Sequence, residues 1–200
     1  MVILAVLALV LGVLVGTFDV QNFLLDALVS NKDLVLYLLM FSVGMSIGLH
    51  KGIIKKIKEY HVKILIIPAG IIVGTLLGGV LLSMVTKYNV GESTSVVSGL
   101  GWYSLAGVTI GNLAGAQLGS IAFLSNLMRE IFSFFTIPFI AKHFNYYSCI
   151  APAAATSEDT TLPMMMKYIN EETVVLSVIN GVLCSAVVPV LIPLCYQLKF

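Results

Sequence analysis

The chain has 200 residues, of which 58% are hydrophobic and only 10% charged, and its formal net charge is +1. A typical soluble domain is nearer half apolar and a quarter charged, so this composition excludes an ordinary soluble domain and predicts lipid as the main solvent. The net charge is too small for the basic surface that nucleic-acid binding needs. The three cysteines, Cys149, Cys184 and Cys195, have neither a metal-ligand spacing nor a disulfide pattern.

Seven apolar runs predict an all-α, polytopic membrane protein that forms a single transmembrane domain over residues 1–200. A spanning helix needs about 20 apolar residues, and the runs are too continuous for the strands of a membrane barrel. The candidate spans cover residues 2–18, 34–50, 62–85, 95–112, 118–141, 150–166 and 174–196. The fourth and sixth runs are short and interrupted by polar residues, which predicts that they are broken or re-entrant.

The loop between the second and third spans predicts the orientation. It is rich in lysine, and lysine-rich loops lie on the cytoplasmic side of a membrane. Counting spans from this loop places the N-terminus inside and the C-terminus outside. The lysines concerned are Lys51, Lys55, Lys56, Lys58 and Lys63.

Glycines repeat at intervals of four residues on several spans. Small residues at this spacing allow the backbones of two membrane helices to approach closely, so the pattern predicts helix packing rather than ligand binding. The repeats are Gly12 and Gly16; Gly44 and Gly48; Gly70, Gly74 and Gly78; and Gly107, Gly111, Gly115 and Gly119.

The fifth span carries two charges at its middle. Arg129, the single arginine of the chain, is followed by Glu130, and Asn126 shares a helical face with Glu130. An ionised group at bilayer mid-depth costs at least about 2.5–3.5 kcal/mol, and adjacent residues on a helix do not face each other. This polar face is therefore expected to point into protein or water.

The sixth run contains a polar stretch bracketed by Pro152 and Pro163. Such a run suits a discontinuous membrane helix, whose freed backbone groups and hydroxyls can bind a cation or an ammonium group. The alternative is an extramembrane loop with two solvated acids. The candidate binding residues in this stretch are Thr156, Ser157, Glu158 and Asp159.

Two further polar side chains are candidates for the same site. Asn112 ends a stretch of small and polar residues in the fourth span, which suits the lining of a cavity. Asn180 lies in a small polar seam on the last span, where packing is the default interpretation and contact with the site is the alternative. No motif of an enzyme, a metal centre or a cofactor site is present, and no convincing catalytic pair supports an intramembrane protease.

Three polar motifs resemble a known family. They are Ser-Gly-Leu-Gly-Trp-Tyr-Ser at 98–104, Asn-Leu-Met-Arg-Glu at 126–130 and Ala-Thr-Ser-Glu-Asp-Thr-Thr-Leu-Pro at 155–163. In this order, inside apolar spans, they are similar to those of the bacterial LysO-type lysine exporters. The resemblance implies export of L-lysine, and of toxic analogues such as thialysine, across the cytoplasmic (inner) membrane.

The resemblance also carries implications for the site and for the assembly. It implies two important intramembrane acids, Glu130 and Asp159, with Glu158 as an alternative to the second. Single-chain members of the family extend further at the N-terminus, which suggests that a small companion membrane subunit supplies the missing spans; a homo-oligomer is the other possibility. Residues 1–50 would then end a first repeat, and residues 62–200 would form a second, inverted repeat of the kind found in transporters.

Two questions of mechanism stay open at this point. Protons are the expected coupling ion, because intramembrane carboxylates can release lysine when a proton replaces it. Two alternative functions are a sodium or other cation/proton antiporter and a non-transporting membrane subunit. Arg129 remains protonated in practice, so it cannot carry the proton. It is either a structural counter-charge or a group that holds the substrate carboxylate.

Overall fold

A computed structural model describes residues 2–18, single positions between 23 and 45, and residues 63–198. The described part of the chain is all-helical. The predicted span 34–50, apart from single positions in it, and the lysine-rich loop after it up to residue 62 lie outside the described residues. Lys63, predicted in this loop, is the first residue of a helix.

Eight α-helices, numbered here in chain order, have bounds within the described residues, together with 3₁₀ turns at Tyr147–Cys149 and Ala154–Glu158. The helices are α1 (Val2–Thr17), α2 (Lys63–Val85), α3 (Val90–Val97), α4 (Tyr103–Ala114), α5 (Ala116–His143), α6 (Ile150–Ala153), α7 (Leu162–Tyr168) and α8 (Glu171–Tyr196).

Three of these helices are long and apolar enough to cross a membrane. They are the segment Leu65–Val85 of α2, the whole of α5 and the whole of α8. Their bounds confirm the predicted spans 62–85, 118–141 and 174–196 as helices. The first predicted span also forms a helix, but α1 has only 16 residues, fewer than the roughly 20 that cross the hydrocarbon core directly.

Both of the runs predicted to be interrupted are broken helices. In the fourth run, residues 98–102 separate α3 from α4, and Leu100 and Gly101 have positive φ angles of 51° and 97°. In the sixth run, the helix stops at Ala153 because Ala154 has a φ of 49°, and a 3₁₀ turn follows. Helix α3 begins at Val90, earlier than the predicted start of this run at residue 95, because Asn89 and Glu92 form a capping box.

Close glycine packing joins α4 to α5. Gly115, with a φ of 90°, forms the turn between them. A Cβ added at Gly119 would lie 2.6 Å from the Cα of Gly111, so glycine is required where the two helices meet. This confirms the packing prediction for this repeat. On α2, by contrast, a Cβ at Gly70, Gly74 or Gly78 would meet no atom within 4 Å.

Helix α8 lies at the centre of the described fold. It packs against α2, α3, α7 and the 3₁₀ turn that follows α6, and the hydrophobic core includes Leu100, Ile179 and Val188. The two helix breaks are buried in this core, with α5 and α8 beside them.

Candidate functional site

The two helix breaks contact each other directly. The backbone N–H of Ala155 donates to the carbonyl oxygen of Leu100 at 3.1 Å. Gly101 lies against the second break, since a Cβ on it would be 3.3 Å from Thr156 Cγ2 and 3.5 Å from the carbonyl oxygen of Ala153. Leu100 and Ala154, the two non-glycine residues with positive φ among those described, are fully buried. The breaks thus form one continuous region of non-helical backbone inside the protein.

Asn126 of α5 holds the first break. Its Oδ1 accepts from the backbone N–H of Gly101 at 2.9 Å, and its Nδ2 donates at 2.9 Å to the carbonyl oxygens of Val96 and Ala122. Both amide hydrogens are therefore in use. Predicted as a binding residue, Asn126 is a buried side chain that satisfies the backbone groups freed by the break.

Asn180 of α8 holds the second break in a similar way. Its Nδ2 donates to the carbonyl oxygen of Ala154 at 3.0 Å and lies 3.1 Å from Ser157 Oγ. Ser157 Oγ in turn lies 2.7 Å from the carbonyl oxygens of both Ala154 and Ser177, and its one hydrogen can be donated to either. All of these side chains are buried. The polar seam of the last span therefore reaches the break, which was the alternative interpretation of Asn180.

Glu130 of α5 has a buried carboxyl group without a hydrogen-bond partner among the described residues. Its exposed fraction is 1%, and neither carboxylate oxygen has a partner among the described residues. The buried hydroxyl of Thr160, which also has no hydrogen-bond partner in the described part of the chain, lies beside this carboxyl group. Asp159 and Tyr103 are close enough to interact with it electrostatically. An unsatisfied buried acid in a membrane span is a candidate for a functional group.

The two adjacent acids of the second break have different surroundings. Glu158 is half-buried and accepts a hydrogen bond from Ser185 Oγ of α8 at 2.8 Å, and its backbone lies against Gly181. Asp159 is exposed. Its Oδ1 accepts a hydrogen bond from the backbone N–H of the adjacent Thr160. Helix α8 therefore holds the carboxyl group of Glu158, whereas that of Asp159 is bonded within its own turn and reaches solvent.

Arg129 lies on a different face of α5 and bonds to neutral oxygens. Its Nε donates to the carbonyl oxygen of Pro152 at 3.2 Å, Nη2 to that of Ala151 at 3.1 Å, and Nη1 to Thr75 Oγ1 of α2 at 3.2 Å. The two carbonyls belong to the short helix α6, so the guanidinium compensates for the broken chain after it. Arg129 also lines a cavity of about 550 Å³ between α2 and α5.

The remaining predicted site residues separate into two groups. Thr156 belongs to the breaks, since its hydroxyl donates to the carbonyl oxygen of Ala153 at 2.9 Å. Asn112 is exposed on α4, near the end of the helix that is opposite to the break. In the part of the chain that the structure describes, no group of three His, Cys, Asp or Glu side chains is arranged to hold a metal ion.

Three residues of this region were not among the predicted site residues: Thr75, Thr160 and Ser185. Each is a hydroxyl side chain in or beside an apolar run, and each contacts a charged side chain that is distant in the sequence or across the break. A single hydroxyl between apolar residues is a weak signal, because such a group also bonds to its own helix. The contact with a charged side chain distinguishes these three residues from other hydroxyl side chains in the apolar runs, and it is visible only in the structure.

The fold and the site together indicate the class of protein. Broken helices that meet inside an all-helical membrane protein, next to buried acids, are typical of secondary transporters. The chain matches the family model described as lysine exporter LysO over residues 6–196. It belongs to this family, which is a family of transporters and not of enzymes.

Two relatives extend this comparison. The chain is 28% identical over 161 residues to "Lysine exporter LysO" of Escherichia coli, an alignment that covers 80% of this chain and 53% of the relative. It is 32% identical over 158 residues to "Putative lysine exporter" of Haemophilus influenzae, which covers 79% of this chain and 80% of that relative. The chain thus spans about half the length of the Escherichia coli protein. No solved structure matches it.

Proposed function

We propose that this chain exports L-lysine, and toxic analogues such as thialysine, across the cytoplasmic membrane in exchange for protons. Membership of the lysine exporter family supports the substrate. The observation that carries the mechanism is Glu130, a fully buried carboxyl group without a hydrogen-bond partner among the described residues. It lies within electrostatic range of exposed Asp159, which directly follows the second break.

The two acids provide alternate positions for an ammonium group and a proton. Asp159 is exposed and meets the solute first, whereas Glu130 lies deeper and has no competing partner among the described residues. In the proposed cycle, lysine leaves the carboxylates on the outer side when a proton replaces it. Asn126 and Asn180 keep the two breaks in place during this exchange, because their amides are bonded to the backbone.

The charge of lysine determines which coupling is useful. Moving one positive charge outward against a membrane potential that is negative inside costs about 2.3 kcal/mol per 100 mV. Exchange of one lysine for one proton moves no net charge. The pH gradient alone would then drive export, whatever the membrane potential.

The proposed transporter is larger than this single chain. The chain covers about half of the Escherichia coli relative, and inverted-repeat transporters place the substrate site between two repeats. We infer that residues 62–200 form one repeat and that a small companion membrane subunit, or a second copy of the chain, completes the assembly. Co-purification from membranes, with the mass of each component, tests this inference.

Transport in liposomes tests the function. Proteoliposomes that contain the full chain, with any membrane subunit that co-purifies, are expected to exchange labelled lysine. With the membrane potential clamped at zero, an imposed pH gradient should drive lysine uphill, and lysine flux should move protons in the opposite direction. Lysine accumulation that follows a sodium gradient and not the pH gradient would show that sodium, rather than the proton, is the coupling ion. Cation/proton exchange without lysine movement would indicate a cation antiporter, and no flux at all would indicate a non-transporting subunit.

A further inference from the structure

We propose that the cavity beside Arg129 binds the carboxylate of the exported amino acid, and that Arg129 thereby selects amino acids over amines that lack a carboxylate. This inference rests on the proposed function and adds a second recognition element to it. The acids Glu130, Glu158 and Asp159 do not line this cavity, so it would recognise the charge of the solute that those acids do not bind.

The first argument is charge balance. Arg129 lies near the middle of a 28-residue helix, and its three hydrogen bonds go to two carbonyls and one hydroxyl, all of them neutral. Charged side chains inside membrane proteins are usually paired with an opposite charge. Glu130 follows directly in the sequence, but adjacent helical residues do not face each other. In the described part of the chain, the guanidinium therefore lacks an anionic partner.

The second argument is the number and arrangement of donors. A guanidinium group has five N–H donors in a planar fork that matches a carboxylate. Three are used by Pro152, Ala151 and Thr75, which leaves two. The same three bonds fix the position of the group before a ligand arrives, so that binding requires little reorganisation.

The third argument is the shape of the cavity. Its volume is about 550 Å³. Gly70 and Gly74 leave room on the α2 side, where an added Cβ would meet no atom within 4 Å. Ile71 and Val97 provide apolar wall, and Ser125 adds a hydroxyl that has no hydrogen bond to another described residue. A cation and a hydroxyl beside an apolar wall suit an amino acid with an aliphatic side chain.

Competition between two ligands tests the inference. L-lysinamide keeps both ammonium groups of lysine but has a neutral amide in place of the carboxylate. In proteoliposomes with the full chain, unlabelled lysine should inhibit labelled-lysine exchange at a concentration about 10- to 100-fold lower than lysinamide, the range expected for hydrogen bonds to a charged group. Arg129→Lys keeps the charge but loses the planar fork. In this variant, the concentration of lysine needed for inhibition should rise at least about tenfold, whereas that of lysinamide should stay within about twofold of its wild-type value.

A second variant keeps the test independent of folding in Arg129→Lys. In Ser125→Ala, the inhibitory concentration of lysine should rise by about 2- to 10-fold, and that of lysinamide should rise by less. Ser120→Ala is the matched control, because Ser120 is exposed on the same helix and bonds to its own Ala116 carbonyl; it should change neither ligand.

Three results would overturn the inference. Equal inhibition by lysine and lysinamide in the wild type would show that the carboxylate is not recognised. Equal weakening of both ligands in Arg129→Lys and in Ser125→Ala would leave Arg129 only its role in holding α6. In both cases the proposed function would stand, since lysine exchange itself would be intact. Absence of lysine exchange in the wild type would overturn the function and this inference together.

Discussion

Two kinds of polar residue share the interior of this protein at the scale of single side chains. Asn126 and Asn180 have their amide hydrogens bonded within the protein and stabilise the helix breaks. Among the described residues, the carboxyl group of Glu130 is buried without a hydrogen-bond partner, and that of Asp159 is exposed, with one oxygen bonded to the N–H of Thr160. An unsatisfied buried polar group costs about 1–3 kcal/mol. Such a cost is tolerated at functional positions, so the candidate ligand groups are the acids and not the amides.

The adjacent acids Asp159 and Glu158 are expected to respond differently to neutralisation. Asp159→Asn removes an exposed charge that the proposed cycle needs, so transport should fall at least about tenfold. Glu158→Gln keeps an oxygen that can accept the bond from Ser185, and transport should stay within about threefold. Thialysine resistance of cells that express each variant, at matched membrane abundance, measures the difference. Normal resistance with Asp159→Asn would disprove the role of Asp159.

At the scale of helices, the site depends on close backbone approach. Each break leaves carbonyl and N–H groups without helical partners, and these groups bond to the other break, to α5 and to α8. The 3₁₀ turn at Ala154–Glu158 can approach α8 because residue 181 is glycine. The position of Glu158 and Asp159 therefore depends on the fit between this turn and α8.

Gly181→Ala is expected to disturb this fit. The new Cβ would lie 2.5 Å from the backbone nitrogen of Glu158 and 2.6 Å from its Cβ, and backbone cannot yield as a flexible side chain does. Overpacking of this kind costs about 1–3 kcal/mol. The thermal midpoint of the detergent-solubilised protein should fall by several degrees, together with thialysine resistance.

The matched control is Gly78→Ala on α2, where an added Cβ meets no atom within 4 Å. This variant should keep the thermal midpoint within about one degree of the wild type. An equal fall in both variants would mean that alanine at any glycine destabilises these helices and that the contact at Gly181 is not special.

At the scale of the whole molecule, charge distribution predicts how the protein lies in the membrane. The lysine-rich loop around residues 51–63 is expected on the cytoplasmic side, and the C-terminus on the outer side. If the side of the membrane on which the C-terminus lies is known, the acids at the breaks can be assigned a position relative to the inner and outer faces.

Reporter fusions measure this orientation. Alkaline phosphatase fused after residue 198 should be active, because it folds only outside, and green fluorescent protein at the same position should be dark. Fusion after Tyr60, within the lysine-rich loop, is the internal control and should give the opposite pattern. Fluorescence from the C-terminal fusion would reverse the proposed orientation.

Much of the architecture follows from the sequence alone, because it depends on local composition. Long apolar runs predict α2, α5 and α8 to within a few residues. The polar residues that interrupt the short fourth and sixth runs predict the two breaks, since a helix that loses backbone bonds in lipid needs another source of partners. The polar motifs around residues 98–104, 126–130 and 155–163 also predict the family, which the match over residues 6–196 confirms.

Only the tertiary structure determines which polar groups form hydrogen bonds with each other. Asn126 and Gly101 are 25 positions apart, and Asn180 and Ala154 are 26 apart, so no local pattern pairs them. Glu158 and Asp159 are neighbours in the sequence with the same charge, and only the packing of α8 anchors one and leaves the other exposed. Composition determines that these residues lie in a membrane protein with broken helices. The role of each depends on long-range contacts, because a hydrogen bond needs a partner within about 3 Å in space, whatever the distance along the chain.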